Sequence, residues 1–175
     1  MTLLKGMNMK TKKVFGPAFY LVTLITIISD PCALAQVPTQ KYIGDQHDLI
    51  KSNDAKLAAQ KKLVFDFWRE VLEARHVDLA EKYMTESYIQ HNPNVPNGRK
   101  AIVDFFSTVP PKTIEPYVKA PLITILSEGD LVTMAFVEER NKSKDKSNTY
   151  KTTWFDMFRI ENGKIAEHWD CAVKD

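Results

Sequence analysis

Three side chains that could transfer protons lie on two neighbouring runs of aromatic and branched residues near the carboxyl end of the chain. Asp156 stands in the first run, and His168 and Asp170 stand two residues apart in the second. The pair Asn162-Gly163 between the runs predicts a β-hairpin, because both residues tolerate the positive φ of a tight turn. Side chains alternate between the faces of a strand, so His168 and Asp170 should share one face.

The surroundings predicted for the Asp156 carboxylate are apolar. With a side-chain period of two, one face of the first run carries four residues: Trp154, Asp156, Phe158 and Ile160. Burial among such side chains disfavours the charged carboxylate, so its pKa should rise toward the range useful for acid/base chemistry. The spacing leaves open that Asp156 instead faces solvent and that His168 and Asp170 merely pair with each other at a sheet edge.

A second group of polar side chains occupies a short stretch in the middle of the chain. It consists of the phenol of Tyr88, the amides of Gln90 and Asn92 and the imidazole of His91. The prolines and the Asn97-Gly98 pair that follow predict a loop, and loops on a rigid scaffold often carry functional groups. The alternative is that the amides only satisfy backbone groups of the turn and that His91 faces water.

The elements that must position these groups follow in the order helices first, strands second. Asp54 can cap a helix that runs to about Ala74, and further helices are predicted over 77–84 and 100–108. Four strands then follow, predicted over 117–127, 131–139, 149–160 and 164–173, with a hairpin tip over 141–148. This order predicts an α+β fold in which the helices cover one face of a curved antiparallel sheet.

The composition excludes several functional classes. Residues 1–35 contain four lysines and one aspartate, so the rest of the chain has 20 basic residues (24 less 4) and 21 acidic ones (22 less 1). Nucleic-acid binding is therefore not expected, because no surplus of basic residues remains. We find no glycine-rich phosphate loop and no Cys/His metal spacing, and we predict neither a cofactor nor a metal.

The start of the chain is typical of an export signal. Three lysines, an apolar core over 18–29 and the small residues Ala33 and Ala35 follow in the expected order. The apolar core is short for a membrane span, so we expect cleavage after Ala35, a secreted or periplasmic protein without a membrane anchor, an arm over 36–56 and one domain over 57–175. Cys171 would be the only cysteine left, unable to form an internal disulfide and expected to be buried.

Over about residues 57–172 the chain resembles the SnoaL-like polyketide cyclases of the NTF2-like superfamily. The resemblance rests on YIQHNP at 88–93 with Gly98-Arg99, and on DMFRIENGKIAEHWD at 156–170. It implies a cone-shaped α+β barrel with a deep apolar pocket, a homodimer formed through the sheet, and aldol chemistry without cofactor or metal. The resemblance makes Asp156 the general acid/base and places His91 and His168 in the pocket, and we expect one of these two histidines to act in catalysis by hydrogen-bonding the developing enolate oxygen. Substrate contacts are expected from seven residues: Tyr88, Gln90, Asn92, Trp154, Phe158, Trp169 and Asp170.

Three functions follow as hypotheses. The first is a cofactor-independent enzyme of the aldol cyclase, isomerase or dehydratase type that acts on a small apolar carbonyl compound. The second is a non-catalytic protein outside the cytoplasm that binds a small apolar ligand; export favours it, as do Ala135 and Val137, which stand where the resemblance implies histidines. The third is an assembly module that pairs through its open sheet face, because one fold supports many functions.

Overall fold

The computed structural model describes residues 38–141 and 149–174. The export signal predicted over residues 1–35 and all of the hairpin tip predicted over 141–148 except Asn141 therefore lie outside the described residues. Among these residues, no helix has both the length and the hydropathy that crossing a bilayer requires.

The first long helix begins where the sequence predicts it. The Asp54 side chain accepts hydrogen bonds from the backbone N–H groups of Lys56 and Leu57, which helix α2 (Ala55–Phe67) leaves free at its start. The helix then continues as a π-helical segment, Trp68–Glu73. The predicted extent of the helix is therefore right, but its last part is π-helical and not α-helical. A short helix, α1 (Gln46–Leu49), interrupts the segment predicted to be an irregular arm.

The remaining helices are shorter than predicted. The single helix expected over 77–84 consists of a 3₁₀ turn, Val77–Leu79, and one turn of helix α3, Ala80–Tyr83. Met84 already has extended backbone and begins a strand. Helix α4 spans Arg99–Phe106, close to its predicted bounds.

The sheet has five strands in the order β1-β5-β4-β3-β2. Their bounds are Met84–Gln90 for β1, Leu122–Glu128 for β2, Leu131–Asn141 for β3, Thr149–Glu161 for β4 and Lys164–Asp170 for β5. Strands β2 to β5 form the predicted antiparallel meander. The α+β fold class is thus confirmed.

Strand β1 is the main correction to the sequence-based fold. Residues 88–90 were predicted to lie in a loop, but they end a strand that pairs in parallel with β5, with Gln90 opposite His168. The His91 backbone N–H extends this ladder by donating to the His168 carbonyl at 2.9 Å. The pairing joins segments almost 80 residues apart, so local periodicity could not reveal it.

Two strand ends lie inside their predicted bounds. Strand β2 begins at Leu122, not at Tyr117, because the proline just before it has no N–H to donate to a ladder. Strand β5 ends at Asp170, and Cys171 consequently lies beyond the sheet and is exposed. The prediction that Cys171 is buried was wrong.

The helices cover one face of the sheet, and the core lies between them. Phe67 packs edge-on against Phe158 with ring centres 6.1 Å apart, and Trp68 stacks on Phe136 at 4.5 Å. On β4, Asp156 and Phe158 are 3% and 0% exposed, whereas Phe155 is 48% exposed. The predicted inward face is therefore confirmed, and the alternative in which Asp156 faces solvent is excluded.

The β4–β5 hairpin forms as predicted. Asn162 and Gly163 have φ of 52° and 73°, the left-handed conformations that a two-residue turn of this kind requires. Glu161 pairs with Lys164 across the turn. This register places Phe158 opposite His168 and Asp156 opposite Asp170.

Candidate active site

A buried carboxylate and a buried imidazole form the centre of the site. Oδ1 of Asp156 lies 2.9 Å from Nε2 of His168, and the two residues are 3% and 7% exposed. Adjacent strands hold them: both side chains point to the helix-covered face of β4 and β5. The His168 ring also stacks on Phe158, with ring centres 4.6 Å apart and planes inclined by 17°. Both packing and hydrogen bonding therefore fix the orientation of the imidazole.

Burial raises the pKa of the Asp156 carboxyl above its ordinary value. The hydrogen bond and the positive charge of His168 oppose this rise, while the nearby Asp170 carboxylate adds to it. Within the described part of the chain, the second oxygen, Oδ2, is buried and has no hydrogen bond of ordinary geometry, although the Trp154 side chain is close enough to lower the pKa of this carboxyl. The predicted direction of the shift is confirmed, and its main cause is desolvation.

Gln90 faces the other nitrogen of the imidazole. Its Nε2 lies 3.0 Å and its Oε1 3.1 Å from Nδ1 of His168. The amide can therefore donate to a neutral ring or accept from a protonated one. Its own position is held by the Tyr88 hydroxyl, which accepts from Nε2 at 3.1 Å, and by the Asn92 backbone N–H, which donates to Oε1 at 3.0 Å.

Tyr88 supplies a hydroxyl that stays protonated. The residue is 2% exposed, and burial above all, followed by the charges of Asp170 and Asp156, raises the pKa of its phenol. The hydroxyl accepts a hydrogen bond from Gln90, but among the described residues its own hydrogen has no acceptor. A protonated, desolvated donor of this kind can stabilise a developing negative charge on an oxygen.

A cavity of about 250 Å³ borders this polar cluster. Its apolar walls come from the helices, β4 and the loop after β1: Phe67, Leu72, Val95, Ile102, Phe105, Phe106 and Phe158. Its polar end is formed by Tyr88, Gln90, Asn92, His168 and Asp170. Of these wall residues, only Phe158 was predicted from the sequence to contact a substrate, and its place in the lining agrees with that prediction. The wall residues on the helices follow an ordinary helical apolar pattern, which does not distinguish a cavity wall from the core.

Asp156 stands behind His168, not at the cavity surface. The carboxylate is buried and is absent from the cavity lining, whereas His168 is part of it. The expectation that Asp156 itself meets the ligand is therefore not met. The arrangement is that of a carboxylate orienting an imidazole, whose other nitrogen, Nδ1, faces Gln90 of the cavity lining.

The structure does not bring His91 and Trp169 to the cavity. Both lie on the outer face of the sheet, where their rings stack at 4.6 Å with planes inclined by 4°. Nε2 of His91 lies 3.0 Å from Glu167, and this hydrogen bond, followed by one from Arg159, lowers the pKa of the Glu167 carboxyl. His91 and His168 lie on opposite faces of the sheet. Gln90 is the residue opposite His168, and successive side chains alternate between faces, so the next residue, His91, points the other way.

Trp154 and Asp170 have different places from those expected. Trp154 shares the inward face with Asp156 but packs against the core and does not line the cavity. Asp170 lines the cavity, and its oxygens accept from the Asn92 side-chain amide at 2.8 Å and from the Ala172 backbone N–H at 2.9 Å. Asn92 thus serves as a support for the carboxylate as well as a wall residue.

The apolar residues that replace the expected histidines lie on the other side of the sheet. Ala135 pairs with Phe155, whose side chain points outward, and Val137 occupies the same outer row. The positions of β3 that face the core are Val132, Met134 and Phe136. The helix-covered face of β3 is therefore apolar, but Ala135 and Val137 are not the residues that make it so.

Three groups of the site could approach one cation. Asp156, His168 and Asp170 each offer a ligand atom, and these atoms lie within 4.8 Å of one another. Both imidazole nitrogens and both Asp170 oxygens already have hydrogen-bond partners in the protein. These four atoms are thus occupied by protein partners, whereas Oδ2 of Asp156 has none among the described residues, and we do not propose a metal site here.

The chain matches one known protein family and is similar to several solved structures. The family model described as "SnoaL-like domain" matches residues 65–168, and no curated protein matches significantly. Similar solved structures include candidate polyketide cyclases from Acidithiobacillus ferrooxidans (16% identity, 69% of this chain and 89% of that chain, TM-score 0.46) and Bacillus cereus (20%, 78% and 87%, 0.45). A candidate SnoaL-like polyketide cyclase from a Jannaschia species is 13% identical over 69% of this chain and 91% of its own, with a TM-score of 0.47. Because the family model covers more than half of the chain, this protein belongs to the SnoaL-like domain family.

Proposed function

We propose that the protein is a cofactor-independent acid/base enzyme of the aldol cyclase, isomerase or dehydratase type that acts on a small apolar carbonyl compound. The observation that carries the proposal is the buried Asp156–His168 pair at the polar end of an otherwise apolar cavity. Membership of the SnoaL-like family is consistent with such chemistry.

The geometry suggests a role for each polar group. His168 removes a proton from the carbon next to the carbonyl through Nδ1, once the ligand displaces the adaptable Gln90 amide from that nitrogen. Asp156 holds the ring by its Nε2 and stabilises the imidazolium that forms. The Tyr88 hydroxyl donates to the enolate oxygen, since its hydrogen has no protein acceptor among the described residues.

The test is hydrogen–deuterium exchange at the methyl group of methyl naphthyl ketone, followed by NMR in D₂O. The wild-type protein should accelerate exchange, and Asp156→Asn should slow it by about 10²- to 10⁴-fold, the usual contribution of an acid/base group. His91→Ala is the matched control, because this second sequence-predicted histidine lies on the outer face and should leave the rate unchanged. Equal exchange in wild-type protein and Asp156→Asn would overturn the proposal.

A binding protein without catalysis is the second candidate. It is favoured by one observation, namely that both imidazole nitrogens are already hydrogen-bonded within the protein. In this case native mass spectrometry should show the naphthyl ketone bound, while NMR detects no exchange above the rate in buffer. Acceleration of exchange would exclude this second function.

Export is proposed on the sequence alone. Protein recovered from the periplasm or medium should begin at Gln36, as N-terminal sequencing would show. Recovery of cytoplasmic protein that retains residues 1–35 would contradict it.

We also propose that the outer face of the sheet forms a homodimer. This face presents Phe155, which is 48% exposed, next to the partly buried side chains of Met157 and Trp169. An apolar patch on a sheet face is a typical interaction surface. Light scattering should give twice the chain mass, and Phe155→Lys should yield a folded monomer; a wild-type monomer at micromolar concentration would refute the dimer.

A further inference from the structure

We infer that the cavity selects an uncharged ligand with a compact body of one or two rings and a neutral hydrogen-bonding head, and that Asp170 excludes carboxylates and other anions. The inference deepens the proposed function, since it specifies the class of carbonyl compound. The inference can be tested separately from the proposed function, because selectivity among ligands is measured by binding, whether or not catalysis occurs.

The size of the cavity sets the ligand body. A dry apolar cavity of about 150 Å³ holds one benzene molecule. The cavity here measures about 250 Å³, which accommodates one ring or two fused rings. A body of three or four fused rings would have to extend past Phe105, which is 59% exposed, into solvent.

The polarity of the cavity sets the orientation of the ligand. The walls are aromatic and aliphatic, whereas all polar side chains of the lining lie at one end. A ligand with one polar group would therefore place that group against the imidazole, the phenol and the amides and bury its rings among the phenylalanines. A ligand that is polar at both ends would bury an unpaired group, which is unfavourable.

Charge decides between a neutral head and an anionic one. Among the described residues that line the cavity there is no lysine or arginine, while Asp170 lies at its polar end and Asp156 lies behind His168. The guanidinium of Arg75 is 5.4 Å from the ring centre of Phe106 but is not part of the lining. An anionic head would thus meet a fixed carboxylate with no lysine or arginine in the lining to offset it, a repulsive arrangement that confers specificity.

Asp170 is held in place to exert this effect. The Asn92 side chain donates to Oδ2 at 2.8 Å and the Ala172 backbone N–H donates to Oδ1 at 2.9 Å. Both partners are donors, as a carboxylate requires. The carboxylate therefore cannot turn away from the ligand without losing two hydrogen bonds.

The experiment compares three probes of graded size and charge by isothermal titration calorimetry. Methyl naphthyl ketone and naphthoate have nearly the same shape but differ in charge, and acetylpyrene is a four-ring ketone. We expect the ketone to bind at least about tenfold more tightly than naphthoate, and acetylpyrene to bind more weakly than the two-ring ketone. Equal affinity for ketone and carboxylate would overturn the charge selection, and tighter binding of acetylpyrene would overturn the size limit.

Two variants test whether Asp170 is the residue that causes the selection against anions. Asp170→Asn should raise the affinity for naphthoate about tenfold relative to the affinity for the ketone. Asp104→Asn is the matched control, because it removes the same charge from an exposed position on α4 and should change neither affinity. An unchanged naphthoate affinity in a folded Asp170→Asn protein would refute the role of Asp170.

The outcome is separable from that of the proposed enzyme. If the probes bind with the expected selectivity but no deuterium enters the ketone, the ligand class stands and the acid/base function fails. If deuterium exchange occurs while naphthoate binds as well as the ketone, the function stands and the ligand class fails.

Discussion

Replacing the buried carboxylate of Asp156 by an amide should stabilise the protein at neutral pH. Burial raises the pKa of this group, which means that the folded protein binds its proton more tightly than the unfolded chain does. The stability linked to that proton is complete below the unfolded pKa of about 4 and is lost as the pH rises through the folded pKa. The amide introduced by Asp156→Asn resembles the protonated carboxyl group, so the variant keeps this stability at all pH values.

The expected change in the free energy of unfolding depends on which interactions of the carboxylate the amide keeps and which it loses. It keeps a hydrogen bond to Nε2 of His168 in either orientation, because Gln90 offers both a donor and an acceptor to Nδ1. Loss of charge assistance in that bond costs about 1 kcal/mol, whereas burial of an ion costs several kcal/mol. We expect a net gain of about 1–2 kcal/mol in the free energy of unfolding, or roughly 2–8 °C in Tm.

Urea unfolding and thermal unfolding from about pH 4.5 to pH 8 would measure this difference. The gap between Asp156→Asn and wild-type protein should widen as the pH rises and then become constant. Asp170→Asn is the control with the opposite expectation: its oxygens accept hydrogen bonds from Asn92 and Ala172, so neutralising it should lower stability or leave it unchanged.

One result would refute the reasoning directly. If Asp156→Asn were less stable than wild-type protein at neutral pH, the ion pair with His168 would outweigh desolvation, and Asp156 would be a structural residue. A gap independent of pH would show that the amide acts through packing and not through the titration of the carboxylate.

Three further predictions concern the hydrogen bond between Tyr83 and Glu70, the imidazole of His168 and the wall of the cavity. Tyr83→Phe removes a 2.5 Å hydrogen bond from the phenol to Glu70 and should cost about 1.5–3 kcal/mol in the free energy of unfolding, with ketone exchange unchanged. Gln90→Glu places a carboxylate beside Nδ1 and favours the protonated ring of His168, so exchange should fall about tenfold at neutral pH and recover as the pH rises; a flat pH–rate profile would contradict this. Phe105→Ala removes an exposed wall of the cavity and should weaken ketone binding in calorimetry while changing unfolding free energy by less than about 1 kcal/mol; unchanged affinity would exclude contact with the ligand.

Local patterns were sufficient for the elements that depend on neighbours in the chain. The alternation of Trp154, Asp156 and Phe158 predicted which face of β4 is covered, and the burial of Asp156 confirms it. The Asn162-Gly163 pair predicted the hairpin because the backbone conformation of its turn depends on those two residues. Asp54 predicted the start of α2 because a cap bonds only to the next turn.

Long-range pairing decided which candidates share the site. The parallel pairing of β1 with β5 places Gln90 beside His168 and leaves His91 on the outer face with Trp169. The sequence motif contains both histidines and does not distinguish them, because their separation depends on the register between strands far apart in the chain. The position of Asp156 behind His168 follows instead from the register of the local β4–β5 hairpin, but which of the two residues borders the cavity depends on the distant helices that form its walls.

The sequence by itself thus determined the family, the α+β order of elements and the burial of one carboxylate, because each depends on residue type and local period. Only the tertiary structure decided that His168 and not Asp156 borders the cavity, that His91 is excluded from it, and that α4 supplies part of its wall. The physical reason is that the side-chain period, two in a strand and 3.6 in a helix, determines which face of its element a residue lies on. Which other segments pack against that face depends on contacts between residues far apart in the chain.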